Sequence, residues 1–256
     1  PQIAYTSTAP EVTQKGDYIF RVCFIDPFQG KVMAKFSREN LKLSQVAVLT
    51  DNKSAYSIGL AKVFIEEFEK MGGKVIANES YSKGDTDFRA QLTAIKRLKP
   101  EGVFVPGYYT DAGLIARQAR ELGLKVPLLG GDGWNSDKLF ELGGSALDGS
   151  YYSNHYALDN PDPLLKAFAE KYQKIYGIPP DSSAALAYDA TALAVDAMKR
   201  APDLSRKALR DAIAATKDFP GVAGKITINA NRDAEKQAVV LKVENGKTQF
   251  VTTVQP

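Results

Sequence analysis

Tyr108, Asp132 and Trp134 stand where two apolar runs of this sequence end. Val103-Phe104-Val105 gives way to Pro106-Gly107-Tyr108-Tyr109, and Val126, Leu128 and Leu129 lead into Gly130-Gly131-Asp132-Gly133-Trp134. Between them Leu114, Ile115, Ala119 and Leu122 recur at helical spacing. The stretch therefore reads as strand, helix, strand, with its two strands parallel. Ligands of open parallel sheets bind beyond the carboxyl ends of the strands. A carboxylate flanked by aromatic rings, beside glycines that let a guest approach the backbone, suits a small cationic or zwitterionic molecule. The same residues also fit an ordinary Gly-Asp-Gly turn with amphipathic tyrosines as surface cover.

Two more strand ends add to this set. Val46–Leu49 is followed by Thr50-Asp51-Asn52-Lys53-Ser54-Ala55-Tyr56, which puts Tyr56 at the start of a helix. The short segment at the beginning of the chain ends in Ser7 and Thr8. Together these positions complement an amino acid. Asp132 would pair with its ammonium, and Ser7 and Thr8 would supply hydroxyl and backbone donors to its carboxylate. Tyr56 and Tyr108 would wall the pocket.

Signals of catalysis are missing. Gly143-Gly144-Ser145-Ala146-Leu147 fails the nucleophile-elbow pattern at its last position. One histidine, His155, and one cysteine, Cys23, cannot build a two-histidine or thiolate metal site. His155 reads as a structural or linker residue, and Cys23, inside YIFRVCFID, as a buried strand residue. Gly72-Gly73 precedes a strand, so it stops a helix and does not cradle a phosphate. No pair of carboxylates has acid–base spacing. These absences give no support for an enzyme, a metal or a cofactor.

The chain has 256 residues, 44% of them hydrophobic and 25% charged, the balance of a soluble globular protein with a substantial core. The 33 basic residues are interspersed with 30 acidic ones, and short clusters such as Lys96-Arg97 and Lys199-Arg200 lie on helix-like segments. That pattern describes solvated helix faces and not a nucleic-acid footprint. No apolar run reaches the ~18 residues of a membrane span, and the chain opens without the pattern of a signal peptide.

The elements that must position the candidate residues follow a regular order. Strands are expected at Gln2–Tyr5 and Tyr18–Phe24, and a helix from Asp26, with Pro27 in its first turn and Val32, Met33 and Phe36 on one face. Strand Val46–Leu49 precedes a helix burying Leu60, Phe64, Phe68 and Met71. Strand Val75–Ala77 precedes a helix capped near Asp85 or Thr86, with Phe88, Leu92 and Ile95 on its stripe. The stretch around Tyr108 comes next, then a strand in Gly149–His155. This is an α/β, doubly wound domain. After Tyr156 three helices are expected without intervening strands, at Leu164–Tyr176, Ala184–Ala201 and Ser205–Ala215. Their candidate sheet partners are the two opening strands and Lys225–Ile228. Gln237–Val254 reads as a hairpin turning at Asn245-Gly246. The second lobe therefore has too little sheet.

Ser7-Thr8-Ala9-Pro10-Glu11, YIFRVCFIDPFQG at Tyr18–Gly30, Tyr56-Ser57-Ile58-Gly59-Leu60, Gly107-Tyr108-Tyr109 and Gly130–Trp134 occur in the order of a known family. Along essentially its whole length the chain resembles the type I solute-binding proteins of branched-chain amino acid ABC transporters, relatives of the leucine/isoleucine/valine-binding protein. The resemblance implies a type I periplasmic-binding-protein fold, two doubly wound lobes joined by three crossovers near Asp26, His155 and Glu235. It assigns residues 1–25 and 155–234 to an incomplete N-terminal lobe, and 26–154 and 235–256 to the C-terminal lobe. It implies that Asp132 holds the α-ammonium, that Ser7 and Thr8 hold the α-carboxylate, and that Tyr56 and Tyr108 line the cleft. Trp134, at the same strand end as Asp132, is counted with them as a ligand-binding candidate. It implies a free amino acid as ligand, a membrane ABC permease as partner, no cofactor, no nucleic acid, and a periplasmic or extracellular location. Measured against the family the chain is about a third short, so a missing segment or another chain is expected to complete the first lobe. Ser183 stands near an aromatic position of many relatives, which implies a roomier or more polar side-chain pocket. An extracellular amino-acid-sensing receptor domain, an engineered or truncated binding module, and an α/β enzyme remain as alternatives.

Overall fold

The structure, a computed structural model, describes residues 1–255. The chain divides into two compact units. The first comprises Pro1–Ile25, His155–Val239 and the residues from Thr253; the second comprises Asp26–Asn154 and Val240–Thr252.

The second unit is built on a seven-stranded sheet. Its strands lie in the order Lys247–Val254, Ala238–Glu244, Tyr151–Asn154, Leu128–Gly130, Gly102–Phe104, Gln45–Asp51, Lys74–Tyr81. The last five named pair in parallel. Val46 to Leu49, Val103, Phe104, Leu128 and Leu129 are wholly buried, as expected of strands covered on both faces. The sheet order reverses between Gln45–Asp51 and Gly102–Phe104, so the carboxyl ends of these two strands flank a topological switch point.

Helix Ala55–Lys70 follows the first of these strands. Ser54 caps it by accepting the Ser57 N–H, and its apolar stripe buries Leu60, Phe64 and Phe68. The Phe64 ring stacks on Phe104 of the sheet at 3.9 Å. Helix Tyr109–Glu121 buries Ala112, Ile115, Ala116 and Ala119, and helix Asp26–Lys35 buries Val32, Met33 and Ala34. At the far hairpin Asn245 and Gly246 both have positive φ, 52° and 71°, the pair of values that a two-residue turn matched to strand twist requires.

The first unit has less sheet. Gln2–Ala4 pairs in parallel with Ile19–Arg21 alone, and Ala234–Glu235, Gly224–Ile228 and Phe219–Gly221 form a small antiparallel sheet. Helices Pro163–Tyr176, Ser182–Arg200 and Arg206–Ala214, with the short helix Glu11–Gln14, supply the rest. Phe20 and Val22 pack with Leu193, Ala197, Ile213, Ile226 and Ile228 in one core cluster. Cys23 is buried in a second with Tyr156, Leu165, Leu186 and Val222. His155 is buried, and its ring stacks on Phe24 at 3.8 Å.

Some elements differ from the expectation. The helix of Phe88, Leu92 and Ile95 begins at Arg89, and neither Asp85 nor Thr86 caps it. Asp85 instead accepts the Ser82 N–H, and the Phe88 N–H is satisfied by Gln118 Oε1 at 2.7 Å. Helix Asp137–Gly143 was not expected; at two turns it is too short to show a periodic stripe.

Candidate functional site

Four elements of the second unit converge on one carboxylate. Strand Leu128–Gly130 runs into a single helical turn, Asp132–Trp134, whose first residue carries it. Tyr56 is the second residue of helix Ala55–Lys70, and Tyr108 stands directly before helix Tyr109–Glu121. The fourth element is helix Asp26–Lys35, which contributes Gln29 from a wholly buried position.

The Tyr56 hydroxyl donates to Asp132 Oδ1 at 2.9 Å and accepts the Gly133 N–H at 3.1 Å. Gln29 Nε2 donates to the same Oδ1 at 3.0 Å, while the Asp132 N–H donates to Gln29 Oε1 at 2.6 Å. Ser153 Oγ donates to Gln29 Oε1 at 2.8 Å. Gly131 makes this convergence sterically possible. A Cβ there would lie 2.6 Å from the Tyr56 hydroxyl and 2.7 Å from Gln29 Oε1. The Tyr108 ring lies 5.1 Å from that of Tyr56, tilted by 34°, and is half exposed.

Burial, followed by the carboxylates of Asp132 and Asp26, holds the Tyr56 hydroxyl well above the ordinary tyrosine range. Burial, then Asp132, Asp26 and Asp51, raises Tyr108 as well. Both hydroxyls are therefore neutral donors at physiological pH, in a field set by carboxylates. Such an arrangement attracts a cation and offers it aromatic faces. No nucleophile stands beside a base in it, and among the described residues no group of three or more His, Cys, Asp or Glu could hold a metal.

Of the six residues expected from sequence, Tyr56, Tyr108 and Asp132 come together. Trp134 does not join them, although it follows Asp132 by two residues. Its side chain is wholly buried, its Nε1–H donates to the Val105 carbonyl at 3.1 Å, and its ring packs against Gly130 and tilts toward Tyr152. It is a prop under the strand ends, and its removal from the ligand set is a correction.

Ser7 and Thr8 belong to the first unit, Ser7 exposed and Thr8 buried. Arg21, wholly buried on strand Ile19–Arg21, shapes the loop that carries them. Its Nη1 donates to the Ser7 carbonyl at 2.6 Å and its Nη2 to those of Ala9 and Pro10 at 2.8 and 3.2 Å. Its Nε pairs with Asp233 at 2.6 Å. Sequence reasoning did not find Gln29, Ser153 or Arg21. The available signal for Gln29 was weak: a polar residue three positions after Asp26, hence on the same face of one helix.

Comparison with known proteins bears on the family and the fold. The family described as periplasmic binding protein matches residues 1–248. A Leu/Ile/Val-binding protein of Rhizobium johnstonii is 32% identical over 246 residues, 94% of this chain and 66% of its own length. The solved leucine-binding protein LivK of Thermotoga maritima is 40% identical with a TM-score of 0.94, covering 100% of this chain and 73% of that one. LivJ of Streptococcus pneumoniae, a branched-chain amino acid transporter substrate-binding protein solved in complex with isoleucine, is 35% identical with a TM-score of 0.91. It covers 100% of this chain and 73% of its own. The chain thus spans 66% to 73% of the length of these relatives, and its α/β fold is that of the type I periplasmic binding proteins.

Proposed function

This chain belongs to the periplasmic binding protein family, and we propose that it binds a free amino acid, without transforming it, for delivery to a membrane ABC permease. The observation that carries this reading is the Asp132 carboxylate, held by Tyr56 and Gln29 beside the Tyr108 ring. An ammonium group is the small cation that such a carboxylate pairs with most directly. Tyr56 and Tyr108 give the ligand aromatic surface. Ser7 and Thr8, expected to take the ligand's carboxylate, lie on a loop of the first unit whose backbone Arg21 organises. The relatives named for leucine, isoleucine and valine point to a branched aliphatic side chain. The protein's place of work is the periplasm or the outer face of the cell.

Isothermal titration with L-leucine, L-isoleucine, L-valine and 4-methylpentanoate tests the reading, because the last keeps leucine's carbon skeleton and carboxylate but lacks the ammonium. We expect heat with the amino acids alone. Asp132→Ala is expected to weaken their binding by at least about a hundredfold, since it leaves an ammonium without its charged partner. Equal affinity in Asp132→Ala and the parent would remove the assignment.

A further inference from the structure

We propose that Gln29 is the positioning residue of this site, fixing Asp132 for an incoming ammonium and tying it to both ends of the segment that builds the second unit. The ammonium in this statement rests on the amino-acid reading above; the grip itself does not.

The grip has two points. Gln29 Nε2 holds the Asp132 carboxylate at Oδ1, and Gln29 Oε1 holds the Asp132 backbone N–H. One side chain thereby restrains both the rotamer of Asp132 and the peptide that carries it. An amide can do both, because it has a donor and an acceptor on one rigid plane. A carboxylate lacks the donor, an ammonium lacks the acceptor, and a thioether offers little of either. A carboxylate held in this way loses little freedom when its partner arrives.

The other hydrogen bonds of Gln29 lead away from the site. Its Nε2 lies 3.4 Å from Oδ1 of Asp26, the residue that opens the Asp26–Asn154 segment. Its Oε1 accepts from Ser153, the residue before that segment's last. The last residue, Asn154, donates to Asn135 Oδ1 at 3.0 Å, at the end of the turn that carries Asp132. Neutralising Asp132 therefore acts on a group bonded through one amide to both ends of the Asp26–Asn154 segment.

Gln29→Met and Gln29→Glu, with the parent and Asp132→Ala alongside, test the proposal. The groups facing position 29 are Asp26 on its own helix, Asp132 on the turn, Tyr56 on the neighbouring helix and Ser153 on the strand. In Gln29→Glu the ionised side chain sets a second carboxylate against Asp132 Oδ1, whereas the protonated one donates there as the amide does. We expect leucine affinity of Gln29→Glu to fall at least about tenfold between pH 5 and pH 8 while the parent stays level, and Gln29→Met to be weaker throughout. A merely structural role does not produce that pH profile. In the ligand-free protein we expect the Asp132 amide to exchange with deuterium faster in Gln29→Met than in the parent. Should that variant fail to fold, Ser153→Ala, which removes only the hydroxyl steadying Oε1, reads the same exchange. Unchanged exchange, or a Gln29→Glu variant with parental or tighter affinity and no pH profile, overturns the proposal. A parent that ignores leucine, or an Asp132→Ala variant that matches it, defeats the amino-acid reading instead, and the exchange still decides the grip.

Discussion

The Tyr56 hydroxyl lies between Asp132 Oδ1 and the Gly133 nitrogen, donating to the first at 2.9 Å and accepting from the second at 3.1 Å. Both functions of the hydroxyl are thus spent inside the protein, and what Tyr56 offers a ligand is its ring. Tyr56→Phe keeps the ring, removes a donor from Asp132 and strands the Gly133 N–H. We expect ligand affinity to fall about tenfold, the loss of one hydrogen bond to a charged group. Tyr56→Ala should lose more, because the aromatic surface goes as well. Titration of both variants checks the order; a Phe variant as weak as the Ala variant would show that the ring contributes nothing.

Gly131 carries a prediction of a different kind. A methyl group there would also sit 2.8 Å from Leu60 Cδ2, besides crowding the Tyr56 hydroxyl and Gln29 Oε1. Gly131→Ala therefore displaces both groups that hold Asp132 while leaving every functional side chain present. We expect a loss of stability of about 1–3 kcal/mol, the usual result of overpacking, with a loss of affinity greater than that of Tyr56→Phe. Urea denaturation and titration measure the two effects, and an Ala variant with parental affinity would mean that the crowding relaxes elsewhere.

The sequence reveals the scaffold of this site better than its wiring. Strand, helix and turn signals place Tyr56, Tyr108 and Asp132 at strand ends because apolar runs and glycines are local features, and the fold assembles those ends around the switch point. Trp134 misleads for the same reason. Its neighbours in sequence are site residues, but one helical turn rotates its ring beneath the strands, where Val105 takes its N–H. Gln29 is separated from Asp132 by 103 positions, and its spacing from Asp26 is a weak local mark of an inward glutamine. Arg21 is harder still, since charge in a strand argues for the surface until its partners in the Ser7–Pro10 loop and Asp233 are known.

Arg21 yields a stability prediction. Its wholly buried guanidinium satisfies three loop carbonyls and the Asp233 carboxylate, which in turn accepts from Thr13 at 2.8 Å. Arg21→Met removes the cation and leaves Asp233 buried without it. We expect a loss of about 3–5 kcal/mol, the range for breaking a buried pair from one side. Asp233→Asn should lose less, because the amide still accepts from Thr13. Chemical denaturation of the two variants decides, and an Arg21→Met variant as stable as the parent would contradict the loop-shaping role.

Lys236 gives the pH dependence. It is buried beside Asp189, which accepts the Val222 and Ala223 N–H groups at 2.7 and 3.0 Å. Burial drives the lysine down from 10.5 to about 8, against the opposing pull of Asp189 and Cys23. Well below pH 8 folded and unfolded chains both hold the proton. Between about 8 and 10.5 the unfolded chain still holds a proton that the folded one has released, so stability rises with pH there, by up to ~1.4 kcal/mol per unit. Tyr56, Tyr81 and Tyr156 act with the opposite sign and later. Burial raises them in the folded state, so their contribution falls only above about pH 10, where unfolded tyrosines ionise. The buried Cys23 thiol would add its own slope, because a cysteine in the unfolded chain ionises at about 8.5. Cys23→Ala therefore serves as the parent for this measurement, and in it the window from pH 8 to 9.5 isolates the lysine. We expect unfolding free energy to climb by roughly 1.5 kcal/mol across it and Lys236→Met to flatten the climb, whatever that variant does to absolute stability through Asp189. Denaturation curves at half-unit steps measure the slope, and a parent without a climb would place the Lys236 ammonium in a far better solvated position than the one it occupies.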